Sequence, residues 1–298
     1  MIRSLYQNSN KMEMRKRFML FDKNNQYIID LKKKEWEFLH HFNHLGYDLL
    51  DLSVIEKFQW NKLSEDDLKS MTNRHTWQSG SALLSLRSDW TDAIVRYRKK
   101  YKLQTEKIAY TGPIYPYNQE KMQFGIEVFT ENISEQKQSM TDLVDYIQAG
   151  LNQTFSVAVI SHYSLLKKLL TYDELNDEEI LFYLKERNLD RLSSKLGPDH
   201  PVVEIMSQPV THQLKFAKEQ YPDLEEPVDA INEWITLLEE QTIPTVYSDL
   251  FSLPPQSYYK GVFLQLYTSQ SIEPIVTGGQ YSSPSKAFGM ALNLPRLN

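Results

Sequence analysis

The chain has 298 residues, 41% hydrophobic and 24% charged, which is the balance of an ordinary globular protein. Its formal net charge of −6 argues against a broad nucleic-acid footprint, which needs excess Lys and Arg to neutralise phosphates, so no nucleic-acid partner is expected. The absence of cysteine excludes disulfides, thiolate metal sites and cysteine nucleophiles and fits a reducing cytoplasm, and no apolar run approaches the ~20 residues that span a bilayer.

The opening MIRSLYQNSNKMEMRKRFMLF carries positive charge without the apolar core of a secretory signal. It reads as a loose leader over residues 1–28, with Met12, Met14 and Met19 as alternative starts. LKKKEWEFLHHFNHLGY sets Leu31, Trp36, Phe38, Leu39, Phe42 and Leu45 at helical spacing and closes on Gly46, a C-cap residue. YDLLDLSVIE looks extended, a polar helical patch follows around Ser64–Met71, and SALLSLRSDWTDAIVRYRKKY runs a strand into a helix opening at Asp89 or Thr91. Next comes a hairpin, with KIAYTGPIY and MQFGIEVF as arms and PYNQEK as its turn. SEQKQSMTDLVDYIQAGL reads as a helix capped by Ser134 and ended by Gly150, and FSVAVISH as a strand. Residues 164–240 are mostly helical, broken at Gly197-Pro198 and Tyr221-Pro222. TVYSDLF, SYYKGVFLQLY, EPIVTGG and AFGMALNL return to strands. Strands flanking a helical insert, without βαβα alternation, imply an α+β fold on an antiparallel sheet, as one domain over 29–298.

Few motifs carry chemistry. His40 and His44 share a helix face, but no carboxylate follows at a ligand offset, so an amphipathic face is expected rather than a metal site. TGGQYSS (Thr277–Ser283) lacks the spacing of a dinucleotide or phosphate loop and reads as a tight turn. Tyr258 and Tyr259, adjacent on a strand, are expected on opposite faces, one in the core and one free to line a pocket. No nucleophile elbow or triad is present, and no cofactor or catalytic residue is expected. Alternation along the return arm places Gln123, Gly125 and Glu127 on one polar face, which suits a pocket floor and equally an exposed sheet face.

Five segments in order carry a resemblance. LRSDWT resembles L-R-P-[DE]-x-T, QFGIE resembles Q-x-G-V-E, SYYKGVF resembles D-Y-Y-T-G-x-V-F, TGGQY resembles A-G-G-R-Y, and FGMALNLPRL resembles G-F-A-L-G-L-E-R-L. Together they resemble the histidyl-tRNA synthetase core over about residues 30–298. The resemblance implies a class II synthetase-like α+β fold, an antiparallel sheet flanked by helices with a helix-rich insert at about 164–240. It further implies that Asp89, Thr91 and Gln123 surround the α-ammonium of a bound histidine, that Glu127 and Tyr259 hold the imidazole, and that Tyr258 stands beside them. A carboxylate and a phenol suit a ring that offers up to two N–H donors.

The departures concern the chemistry. The family's F-R-x-E reads Tyr115, Pro116, Tyr117 and Asn118, and the loop that follows is short. Its R-G-L-D-Y-Y reads Pro254, Pro255, Gln256, Ser257, Tyr258 and Tyr259. Proline has neither charge nor N–H, and losing both arginines removes the electrostatic stabilisation that adenylate formation needs. Arg87 and Arg296 remain as candidate nucleotide or anion clamps, Ser53 replaces the family's first-motif proline, and the chain ends soon after Arg296, so no anticodon-binding domain is expected. Such a core resembles the regulatory subunits of ATP phosphoribosyltransferase, in their short Firmicute form. That resemblance implies a non-catalytic cytoplasmic subunit, a homodimer within a hetero-oligomer, paired with a short catalytic subunit in the first step of histidine biosynthesis. It would be required for activity and would mediate feedback inhibition by L-histidine. The alternatives are a divergent histidyl-tRNA synthetase-like enzyme and a tRNA-binding or amino-acid-sensing module.

Overall fold

A computed structural model describes residues 25–58, 71, 74–116, 119–253, 258–282 and 286–295. The leader with its alternative starts, most of the helical patch from Ser64, Tyr117 and Asn118 of the hairpin turn, Pro254 to Ser257, and Arg296 lie outside the described residues. The chain divides into two units, residues 1–47 and 48–298.

In the first unit, residues 25–44 form helix α1. Phe38 and Phe42 are buried one turn apart with ring centres 4.6 Å from each other, and Phe42 meets Tyr47 edge-on. Gly46 takes a φ of 83° and lets the Tyr47 N–H turn back to the Phe42 carbonyl, which ends the helix as expected. Trp36 and Leu45, read as part of the apolar face, are exposed.

The second unit is built on an eight-stranded sheet in the order β1-β5-β6-β11-β10-β9-β7-β8. Its inner strands are β5 (Lys107–Ile114), β6 (Lys121–Val128), β11 (Lys286–Pro295), β10 (Val276–Ser282), β9 (Tyr259–Tyr267) and β7 (Val157–His162), and every pair among them is antiparallel. The short edge strands β1 (Asp48–Leu49) and β8 (Val246–Ser248) run parallel to β5 and β7, so the expected antiparallel sheet is mixed at both edges. The connection explains this: the whole helical insert separates β7 from β8, long enough for the crossover that parallel pairing requires. A smaller sheet, β2-β4-β3, joins Ile55–Phe58, Ala82–Leu86 and Thr76–Ser79. All four residues of β3 are exposed, so it shows none of the half-buried alternation by which strands are recognised.

Helix α2 (Trp90–Tyr101) opens at Asp89, whose side chain accepts the Asp92 N–H. Helix α3 (Ile133–Asp145) is capped by Asn132, whose side-chain oxygen accepts the Ser134 N–H at 3.0 Å. Ser134, expected as the cap, therefore sits in the first turn. Gly150 closes the π-helical turn Tyr146–Gly150 that extends α3. The insert contributes α4 (Tyr163–Leu169), α5 (Tyr172–Leu175), α6 (Glu178–Lys185), α7 (Leu189–Leu196), α8 (Pro201–Met206), α9 (Val210–Gln220) and α10 (Glu225–Glu240). Phe124, Ile126 and Val128 of β6 share a face with Phe288, Met290 and Leu292 of β11, and Trp234 of α10 stacks on Phe288 at 5.2 Å. With that face under helices, Gln123, Gly125 and Glu127 point to the other.

Candidate functional site

Two glycines make the site possible. Tyr110 on β5 pairs in register with Gly125 on β6, and its phenol lies where a side chain at 125 would stand. Gly289 on β11 pairs with Glu127, whose carboxyl fills the corresponding space. The start of α2 closes the arrangement, with the Trp90 ring stacked on Tyr110 at 4.7 Å.

Glu127 is fully buried, so it is neither on a wet face nor on an open pocket floor. Thr91 Oγ1 donates to Oε1 at 2.5 Å, Tyr281 Oη donates to Oε2 at 2.8 Å, and Tyr110 Oη approaches Oε1 at 3.5 Å. Burial raises its pKa from 4.5 to about 8, against the opposing pull of the hydroxyl donors and with help from the charge of Asp89. No cation among the described residues pairs with it.

Asp89 combines two duties. Its carboxylate caps α2 and accepts the Tyr258 hydroxyl at 2.9 Å, while burial and then the neighbouring Asp92 hold its pKa above the ordinary range. Tyr258 and Tyr259 do not diverge: Tyr258 precedes β9, strand alternation does not govern it, and the two rings lie 4.8 Å apart. Tyr259 belongs to the buried cluster that holds Trp90, Tyr110, Phe263 and Tyr281, and its ring meets Phe263 edge-on. The hydroxyls that reach Glu127 are those of Thr91, Tyr281 and, at the limit of a hydrogen bond, Tyr110, rather than that of Tyr259.

Gln123 is buried on the same face. Its Nε2 donates to Asn293 Oδ1 at 3.1 Å, and its Oε1 is buried without a hydrogen-bond partner among the described residues. Arg87 is spent differently from an anion clamp. Its guanidinium is buried, lies 3.5 Å from the Trp90 ring centre, and donates to the carbonyls of Leu52 at 2.8 Å and Pro113 at 3.0 Å. Burial lowers its pKa to about 10. It braces the chain around α2. Arg296 lies outside the described residues.

The six residues expected from the sequence thus fall on one side of the sheet, tied as Thr91–Glu127, Asp89–Tyr258–Tyr259 and Gln123–Asn293. Tyr110, Tyr281 and Asn293 were missed. A tyrosine facing a glycine across a hairpin was the available signal for Tyr110; Tyr281 and Asn293 depend on pairings distant in sequence. The cluster offers acceptors from Asp89, Gln123 and Glu127, and hydroxyls that can donate or accept. It suits a ligand rich in N–H donors.

Residues 27–295 match the family described as histidyl-tRNA synthetase, so fold and site define a histidyl-tRNA synthetase-like protein of the class II type. The chain is similar to a Bacillus halodurans C protein described as ATP phosphoribosyltransferase regulatory subunit/histidyl-tRNA synthetase, with TM-score 0.68, 18% identity and coverage of 88% of this chain and 76% of that one. It is also similar to a chain of the Thermotoga maritima ATP phosphoribosyl transferase (HisG:HisZ) complex, with TM-score 0.67, 20% identity and coverage of 88% and 96%. In sequence it is 33% identical over 271 residues to the ATP phosphoribosyltransferase regulatory subunit of Staphylococcus aureus strain Newman, covering 91% of this chain and 99% of that protein. The chain belongs to the family of ATP phosphoribosyltransferase regulatory subunits.

Proposed function

We propose that the chain is a non-catalytic regulatory subunit that assembles as a homodimer with a short catalytic subunit in the cytoplasm, is required for its activity, and relays feedback inhibition by L-histidine held in the cluster around Glu127. The observation that carries the site is the pair of buried acceptors on β6. Among the described residues, Glu127 is ringed by hydroxyls without a cation, and Gln123 Oε1 has no partner. An imidazole N–H directed at Glu127 and an α-ammonium directed at Gln123 and Asp89 would satisfy both, and Thr91, Tyr258 and Tyr259 would border the ligand. Burying a polar group unpaired costs free energy, so these acceptors favour a ligand that supplies donors.

Loss of synthetase chemistry is supported by Pro116 in the hairpin and by Pro254 before the tyrosines, where the synthetase family carries arginines. Partnership is supported by the T. maritima relative, which was solved as a HisG:HisZ complex. Inhibition requires that histidine bind the inhibited assembly more tightly than the active one. The test is reconstitution. Alone, the chain transfers no phosphoribosyl group and supports no histidine-dependent ATP–pyrophosphate exchange; mixed with a short catalytic subunit it raises activity and confers histidine sensitivity. Glu127→Ala weakens inhibition while leaving activation largely intact. Exchange activity in the isolated chain, or failure to co-elute with the catalytic subunit, overturns the proposal.

A further inference from the structure

A cavity of about 660 Å³ lies on the helix-covered side of the sheet, between α3, α10 and the ends of β9, β10 and β11. That volume is in the range of small-molecule sites. The face of the sheet bearing Phe288 and its Trp234 partner turns away from Glu127, but Tyr281, which donates to Glu127, also lines this cavity, so the cavity adjoins the cluster described above through one shared side chain.

Its walls are sorted by charge. Lys260 and Lys286 line it from the sheet; Glu226, Asp229 and Glu233 line it from α10. Asp229 and Glu233 are partly neutralised by Lys218 and Lys137, whereas Glu226 and Lys286 have no ion-pair partner among the described residues. His162 borders the cavity at 7% exposure. Its Nδ1 accepts the Ser164 N–H at 3.3 Å, which puts the ring proton on Nε2, and Nε2 meets no hydrogen-bond partner among the described residues. Burial, and then the charge of Lys168, lower its pKa to about 4, so the ring is a neutral donor across the working pH range. His162 lines the cavity, so this N–H is within reach of an incoming anionic group.

We propose that this cavity binds a small zwitterion of the amino-acid class, its carboxylate received by His162 Nε2–H with Lys260 and Lys286, and its ammonium facing Glu226 on α10. Trp234 and Ala287 supply the apolar wall for the body of the ligand. The site is distinct from the one around Glu127 but shares Tyr281 with it, and it would give the subunit a second effector input.

The experiment is thermal unfolding of the full chain with each of the twenty common L-amino acids in turn, and with inorganic phosphate as an anion without an ammonium. The expected result is that at least one amino acid raises Tm in both the wild type and Glu127→Gln, and that the shift disappears in Lys286→Glu and in Glu226→Lys. Both are surface changes at the mouth of the cavity that leave the His162 cap of α4 intact; His162→Phe serves as a third variant. The proposal is overturned if no amino acid shifts Glu127→Gln, if the shift survives both charge reversals, or if phosphate alone produces an equal shift.

Discussion

Gly289 stands directly across from Glu127 in the β11–β6 register, and the carboxyl of Glu127 lies over it in the space a Cβ would take. The buried acid therefore exists only because its neighbour has no side chain. Gly289→Ala should force the carboxyl off its Thr91 and Tyr281 donors. Overpacking of a tight core costs about 1–3 kcal/mol, and loss of a donor to a buried carboxyl adds to it. Urea unfolding should show a lowered midpoint, and the histidine response of the reconstituted complex should fall with it. An unchanged midpoint would mean that the carboxyl has another place to go.

Glu127 gives stability a pH dependence whose sign follows from its shift. The folded-state pKa is raised from 4.5 to about 8, so the native state holds a proton that the unfolded state releases at lower pH. The contribution is present in full below pH 4.5, declines as pH rises through the window from 4.5 to about 8, and is gone above it. Glu127→Gln keeps the shape without the titration. Across that window the stability of the variant should fall less with pH than that of the wild type, measured by denaturant unfolding at a series of pH values. Parallel curves would show that Glu127 is ionised in the native state.

The two phenols at Glu127 should differ in weight. Tyr281 donates at 2.8 Å, whereas Tyr110 sits at 3.5 Å, the limit of a hydrogen bond. Tyr281→Phe should cost about 1–3 kcal/mol, as expected when a buried acceptor loses its donor, and Tyr110→Phe distinctly less. Both retain the ring and its packing, so the comparison isolates the hydroxyls. Equal costs in thermal or urea unfolding would show that the Tyr281 hydroxyl is no stronger a donor to Glu127 than that of Tyr110.

Much of this cluster was legible in the sequence because it lies on short local patterns. Alternation in QFGIE placed Gln123 and Glu127 on one face, and the N-terminus of α2 brought Asp89 and Thr91 with it. Where the reading failed, distant pairing or a break in regularity decided the outcome. Asn293 meets Gln123 across 170 positions, and Tyr281 reaches Glu127 across 154, relations that no local window contains. Tyr258 escaped alternation because it stands in a turn, and Ser134 yielded the cap to Asn132 because a side-chain oxygen two residues earlier reached its N–H first. The burial of Glu127 was hidden for the same reason: its cover comes from Tyr281 and from the helix of Thr91, not from its own strand.

The last prediction concerns what holds that helix. Arg74 and Arg96 form a four-membered ion-pair box with Glu56 on β2 and Asp92 on α2, and both guanidinium groups lie over the Phe58 ring. Arg74 and Glu56 are almost wholly withdrawn from solvent, so the box is not a surface ornament that salt would screen away. It ties the small sheet to the first turn of α2, one residue beyond Thr91. Arg74→Met keeps most of the stem volume but strands part of the charge of Glu56 and Asp92. Breaking a buried pair from one side costs about 3–5 kcal/mol, while replacing both partners with apolar groups can be close to neutral. Arg74→Met should therefore be strongly destabilised, and Arg74→Met combined with Glu56→Leu should recover part of the loss in urea unfolding. If the pair serves only stability, the double variant regains its histidine response along with its midpoint. If the box also sets the angle at which α2 presents Thr91 to Glu127, stability returns and the histidine response of the complex does not. The second pattern is expected, because Asp92 then keeps Arg96 alone and the helix loses one of the two guanidinium contacts that fix its first turn.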